Sequence, residues 1–172
     1  DLELNYDRDG LGVVVTVEDP AVRLDRLPWQ GGSGLLVNLV RPISPDDYES
    51  KRYHSVGVGV EGGVPHAYLV GHDGDVTLTP LPGIEPVVER RGDATRYEVA
   101  IPWSVFHPYG PPLDLEMGLN VFYVGAGAVG DRDVLSLMPE DRLSFEPDPW
   151  RRYVPVNFWT SDLTRPVMKG RL

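Results

Sequence analysis

The sequence predicts an all-β fold, a β-sandwich of mostly antiparallel strands with short helical turns. Three observations carry this. Short runs rich in Val, Tyr and Thr alternate apolar and polar residues, as half-buried strands do. Gly (19 residues) and Pro (17 residues) punctuate those runs along the whole length, the pattern of sandwiches and barrels. No long apolar stripe with the period of a helix appears, so helix should take less than about a tenth of the chain, well below the globular average.

In chain order, strands are expected at 2–6, 11–18, 34–40, 54–60, 65–70, 75–80, 85–90, 95–101, 118–124, 134–137 and 154–159. Asp9-Gly10 closes a hairpin between the first two, and Asp73-Gly74 closes another. Val13, Val15 and Val17 should face the core, as should Leu119 and Val121. In 54–60, Val56, Val58 and Val60 face one way and Ser55, Gly57 and Gly59 the other. That bare face is either covered by a neighbour's aromatic ring or left as a trough, since strand glycines admit close approach. In 95–101, Tyr97, Val99 and Ile101 share the buried face, opposite Glu98 and Ala100. Pro102, with no N–H to give, ends that strand, and Trp103 turns its ring toward the end of the core. Helical turns are expected only at 103–107 and 139–143. Polar segment 41–53 and the proline-rich 108–112 read as loops.

A chain of 172 residues is one domain of ordinary size, so residues 1–172 are read as a single unit. The net charge of −10 repels nucleic acid and anionic membrane surfaces, and neither is an expected partner. No stretch of about 18 apolar residues spans a bilayer. The absence of cysteine excludes disulfides and thiolate metal sites.

Catalytic motifs fail one by one. Gly57–Gly62 and Gly125–Gly130 fit the spacing G-x-G-x-x-G, but neither opens a helix to hold a pyrophosphate, so no nucleotide is expected. His54, His66, His72 and His107 lack metal-ligand spacing and read as surface or turn residues. No serine sits in a nucleophile elbow, and no pair of carboxylates is singled out as a glycosidase dyad. No catalytic residue is assigned and no enzyme activity is expected. Haem needs axial ligands; Met117, Met138 and Met168 form no recognisable pair with His or Lys, so haem is not expected.

Two loop tryptophans stand out. Trp29 lies in Leu27-Pro28-Trp29-Gln30-Gly31-Gly32-Ser33 and Trp150 in Pro147-Asp148-Pro149-Trp150-Arg151-Arg152. Rigid tryptophans in loops suit stacking on sugar rings, and they suit equally well the plugging of a sandwich end.

Several blocks, taken in order, resemble the carbohydrate-binding modules of family 9 and the wider set of β-sandwich domains like them. Asp7-Arg8-Asp9-Gly10-Leu11-Gly12-Val13-Val14-Val15-Thr16-Val17-Glu18-Asp19-Pro20 resembles the opening D-x-x-x-L-Y-V-x-x-x-V-x-D-P. Pro28-Trp29 and strand 34–40 resemble the loop tryptophan and the strand after it. Arg96 to Trp103 resembles Y-x-V-E-x-A-I-P-W, Gly118-Leu119-Asn120-Val121 resembles the G-x-N strand, and Trp150-Arg151 with Asn157-Phe158 resembles the closing segment. The resemblance implies a noncatalytic carbohydrate-binding module of a larger, secreted, extracellular and bacterial carbohydrate-active protein. It implies a glycan or polysaccharide end as ligand, held between Trp29 and Trp150, and other domains of the parent protein as partners. It also implies calcium among loop carboxylates, with Asp7, Asp9 or Asp19 as candidates.

The departures define an alternative. Where the family often reads D-S-V-E-I, this chain has Gly32-Ser33-Gly34-Leu35-Leu36; after G-x-N it has Phe122, Val124 and Gly125; before the second tryptophan it has Pro147, Asp148 and Pro149. The usual I-D-G opening is also absent, which reads as an excised domain or a variant. Stacking without hydroxyl partners implies weak binding, near the millimolar range or about −4 kcal/mol. The alternative is a structural accessory domain of a larger extracellular protein that has lost sugar binding. On the sugar-binding reading, Trp29 is expected to be exposed and to contribute little to stability; a ring that acts as a structural plug belongs to the accessory-domain reading.

Overall fold

The computed structural model describes residues 1–40, 53–72, 75–106, 116–127, 134–136, 154–157 and 168–170. Its strands are β1 (Leu2–Tyr6), β2 (Gly10–Glu18), β3 (Gly34–Val40), β4 (Tyr53–Glu61), β5 (Val64–His72), β6 (Asp75–Pro80), β7 (Val87–Arg91), β8 (Ala94–Pro102), β9 (Glu116–Val124), β10 (Val134–Ser136), β11 (Val154–Asn157) and β12 (Met168–Gly170). They make two antiparallel sheets. The smaller has five strands in the order β12-β1-β2-β8-β7; the larger has seven, in the order β10-β9-β3-β4-β5-β6, with β11 beside β10 on the outer edge of β9. The fold is the expected all-β sandwich. Every expected strand is present, with ends moved by one or two residues, and β12, which was not expected, adds an edge to β1.

The core lies between the sheets and follows from period-two alternation. β1 contributes Leu2, Leu4 and Tyr6, β2 contributes Leu11, Val13, Val15 and Val17, and β8 contributes Tyr97, Val99 and Ile101. Facing them are Leu35, Val37 and Leu39 of β3, Val56 and Val58 of β4, and Leu119, Val121 and Tyr123 of β9. All the residues expected in the core are buried. Burying a side chain of this size stabilises by roughly 1.5–3 kcal/mol, which is what sets the facing of each strand.

Trp103 closes one end as expected. It begins a 3-10 turn, Trp103–Phe106, and its ring is buried. Its Nε1–H donates to the Asp7 carbonyl at 2.9 Å and its backbone N–H to the Asp9 carbonyl at 3.0 Å, which ties β8 to the β1–β2 turn. The other described helical element is the 3-10 turn Pro28–Gln30, which was not expected. The β4–β5 hairpin turns on Gly62 and Gly63, with φ of 60° and 84°, values that glycine adopts without steric cost. The expected turn at Asp73-Gly74, the helical turn at 139–143 and the loop at 108–112 lie outside the described residues, as does the loop at 41–53 except for Tyr53, which instead opens β4.

Candidate functional site

The site is built on the face of the larger sheet that points away from the core. β3 and β4 pair so that Gly34 lies opposite Gly59 and Leu36 opposite Gly57. The glycines therefore form a bare patch across two strands, and the segment Leu27-Pro28-Trp29 lies on it. A Cβ on Gly34 would sit 2.3 Å from Pro28 Cγ, and one on Gly59 would sit 2.5 Å from Pro28 Cδ. A Cβ on Gly57 would sit 2.7 Å from Trp29 Cζ3 and 2.6 Å from Val70 Cγ2. Of the two sequence readings of the glycine face, the structure realises the covered one, and the covering ring is Trp29.

Local chemistry fixes that ring. Leu27 is extended, Pro28 supplies the pre-set φ of a first helical position, and Gly31 closes the turn in the left-handed region at φ 93°. The Gln30 and Gly32 N–H groups both donate to the Leu27 carbonyl, at 2.9 and 3.0 Å. Ser33 and Arg23 exchange two bonds, Ser33 N–H to Arg23 carbonyl at 2.8 Å and Arg23 N–H to Ser33 Oγ at 3.1 Å, anchoring the segment before β3.

Trp29 is half-buried, not exposed. It packs with Tyr68 against a second apolar cluster made of Leu36, Val70, Phe122 and Val124. Its ring meets that of Tyr68 edge to face, with centroids 5.1 Å apart and planes at 83°. The expectation of an exposed ring is corrected: the glycine patch admits the ring, and contact with the cluster buries part of it. Leu36, Phe122 and Val124 are among the residues that depart from the sugar-binding pattern, and they form the floor under this ring.

Two residues farther along the same face, the floor changes from apolar to polar. Asn38 pairs with Ser55 on one side and Asn120 on the other. All three are buried, and among the described residues neither Asn38 Oδ1 nor Nδ2 nor Ser55 Oγ has a hydrogen-bond partner. A buried amide without partners costs about 1–3 kcal/mol, so native folds rarely keep one without a use for it. Sequence reasoning missed this row. The available signal was Asn38 interrupting the apolar run Leu35-Leu36-Val37 and Leu39-Val40, matched by Asn120 in β9.

The other predicted site residues fall elsewhere. Trp150 lies outside the described residues. Asp7 Oδ1 accepts the N–H groups of Asp9 and Gly10, at 2.8 and 2.9 Å, and so serves the β1–β2 turn. Asp19 lies past the opposite end of β2, where Oδ1 accepts the Ala21 N–H at 2.8 Å and Oδ2 accepts the Tyr123 hydroxyl. The nine residues of β2 separate Asp19 from Asp7 and Asp9, about 30 Å of extended chain. They do not form one metal cage, and among the described residues no group of three His, Asp or Glu side chains is placed to hold a metal. His54 corrects the surface reading given to the histidines: it pairs with Leu39 on the inner face, only 2% exposed, its ring edge-on to Phe106 at 5.7 Å.

The two antiparallel sheets, packed and ordered in this way, have the fold of the carbohydrate-binding modules of family 9. No family model matches the chain, and no curated protein matches it. Solved structures do. A family 9 module from Caldicellulosiruptor kristjanssonii in complex with cellotriose matches with a TM-score of 0.60 at 13% identity, over 98% of this chain and 80% of that one. The module from the same organism in complex with glucose matches with a TM-score of 0.58 at 15% identity, over 99% and 76%. A protein from Bacteroides uniformis matches with a TM-score of 0.54 at 15% identity, over 84% and 70%.

Proposed function

We propose that this chain is a noncatalytic carbohydrate-binding module that takes the end of a neutral glycan against Trp29, with Trp150 as the opposing ring. The observation that carries the reading is the mounting of Trp29. A rigid Pro-Trp turn holds a half-exposed indole over a glycine gap, on a fold shared with modules solved in complex with glucose and with cellotriose. An indole so placed offers an apolar face to sugar C–H groups without losing rotamer freedom on binding. The same reading makes the chain part of a larger, secreted, bacterial carbohydrate-active protein, whose other domains are its partners. Among the described residues no helix is long and apolar enough to cross a membrane.

Isothermal titration with glucose and cellotriose tests this. Trp29→Ala and Trp150→Ala should each reduce binding by tenfold or more, about 1.4 kcal/mol, while hydrolysis of either sugar stays absent. Binding undiminished in both variants would remove the tryptophan site, and turnover by the isolated chain would remove the noncatalytic reading.

One observation favours the second reading, an accessory domain without sugar affinity: the ring of Trp29 fills a gap and contacts the cluster beneath it. In that case Trp29→Ala lowers stability and the wild type binds neither sugar. A structural Ca²⁺ is tested separately. Chelation should lower Tm if one is held, and an unchanged Tm with no metal by elemental analysis would dismiss it.

A further inference from the structure

Beside Trp29, between the start of β5 and the segment after β6, runs a groove of about 500 Å³, within the usual size of ligand clefts. His66 and Tyr68 form one wall; Pro80, Pro82, Glu85 and Pro86 form the other. Tyr68 is the ring that Trp29 meets edge to face, and His66 stands next to it with centroids 6.3 Å apart. The aromatic surface therefore runs unbroken from Trp29 into the groove. We propose that the groove is a second contact site for the sugar units that follow the one held at Trp29, so that the domain reads a length of glycan chain as well as its end. This rests on the reading of Trp29 as a sugar platform.

The lining decides the ligand class. Among the described residues it contains no Lys or Arg, and it carries the carboxylate of Glu85. A second carboxylate, Glu61, lies near enough to the Tyr68 hydroxyl to help hold its pKa above the ordinary value, after burial. Phosphate, sulfate and uronate groups are repelled there, whereas the hydroxyls of a neutral sugar donate to carboxylates in strong, charge-assisted bonds. Proline rings present C–H surfaces in fixed positions, so the walls lose little entropy when a ligand orders against them. The groove also stays open by construction. The Ala67 carbonyl accepts the Leu81 N–H at 2.9 Å, so residue 67 turns its hydrogen-bonding groups toward this edge of β5. Pro65, two residues earlier, faces the same edge with no N–H to recruit another strand.

Titration of the full chain with glucose, cellobiose and cellotetraose tests the proposal, with Glu85→Ala and His66→Ala as groove variants and Trp29→Ala as the platform variant. Loss of one hydrogen bond to a charged group corresponds to about tenfold in affinity. The wild type should therefore bind cellotetraose about tenfold more tightly than glucose. Glu85→Ala should bring the two within about twofold of one another and leave glucose binding as it was. Equal affinities in the wild type, or a chain-length gain that survives both groove variants, would overturn the groove and leave the Trp29 site standing. A gain lost in Glu85→Ala but untouched in Trp29→Ala would keep the groove and overturn the platform. A wild type that binds none of the sugars would overturn both.

Discussion

The outward faces of the two sheets differ in kind. On the smaller sheet β2 and β8 alternate strictly, buried residues inward and partly exposed ones outward, and the outer row carries Thr16, Arg96 and Glu98. On the larger sheet the outward residues Leu36, Asn38, Ser55, Gly57, Gly59, Asn120, Phe122 and Val124 are buried as well. A sheet with one wet face reads as clean alternation, and a sheet buried on both faces reads as a nearly continuous apolar run. Gly34-Leu35-Leu36-Val37 and Leu119-Asn120-Val121-Phe122-Tyr123-Val124 are such runs. The lesson concerns where the proposed site sits. The wet face contributes solubility, while the covered face carries the tryptophan, the unpartnered amide and the groove beyond.

Substitutions can break this comparison. Phe122→Ala on the outer face of the larger sheet should cost about 3–5 kcal/mol, as much as Ile101→Ala in the core between the sheets, at about 2–5 kcal/mol. Urea denaturation of both variants measures this. A loss below about 1 kcal/mol for Phe122→Ala would make the outer face an ordinary solvated one.

Gly57→Ala should cost about 1–3 kcal/mol, because its new Cβ meets Val70 and Trp29 and one of them must move. Displacement of Trp29 would appear as a shift in tryptophan fluorescence, together with lost sugar binding. A variant with unchanged emission and stability would mean that Trp29 does not rest on this strand.

Asn38→Leu sharpens the role of the polar row. The amide has no partner among the described residues, so an apolar residue of similar size should raise stability by up to about 1–2 kcal/mol. A higher Tm with weakened glucose binding would mark Asn38 as kept for the ligand. A lower Tm would reveal a hydrogen bond that holds the fold.

The tyrosines give a pH signature. Burial above all, then the charges of Tyr123 and Asp19, holds the Tyr97 hydroxyl far above its ordinary pKa of 10.0. Burial, then the charge and hydrogen bond of Glu61, raises Tyr68 as well. A raised pKa in the folded state means that their contribution is complete below about pH 10, where the unfolded tyrosine is still protonated. It is lost as pH rises above that toward the folded values. Tm should hold steady from pH 8 to about 10 and fall beyond it. Tyrosinate absorbance should show Tyr97 ionising only on unfolding, and its ionisation in the native protein would contradict its burial.

The smallest effect is expected on the wet face. Arg96 and Glu98 pair at 2.6 Å with side chains 43% and 45% exposed. Solvent screens such a pair, so Glu98→Ala should cost less than about 1 kcal/mol. A larger loss would mean that this face, too, carries structural weight.

The alternation of apolar residues settled the fold class, the strand positions and the inward rows, since period-two facing is a local property of the chain. Pro102-Trp103 likewise announced the strand end and the closing ring, because a missing N–H and a large apolar surface act wherever they occur. Trp29 was legible as a residue worth watching, but its burial was not. That depends on Gly57 and Tyr68, which only the pairing of β3, β4 and β5 brings beneath and beside it. The row Asn120, Asn38 and Ser55 draws one residue from each of three strands; the sequence shows each asparagine interrupting an apolar run, but not that the three lie side by side. The three candidate aspartates look alike in sequence, yet two serve a turn at one end of β2 and the third meets Tyr123 at the other. Sequence determines which way each side chain faces from its own strand. Tertiary structure decides what it faces, because register and sheet order join residues that are far apart along the chain.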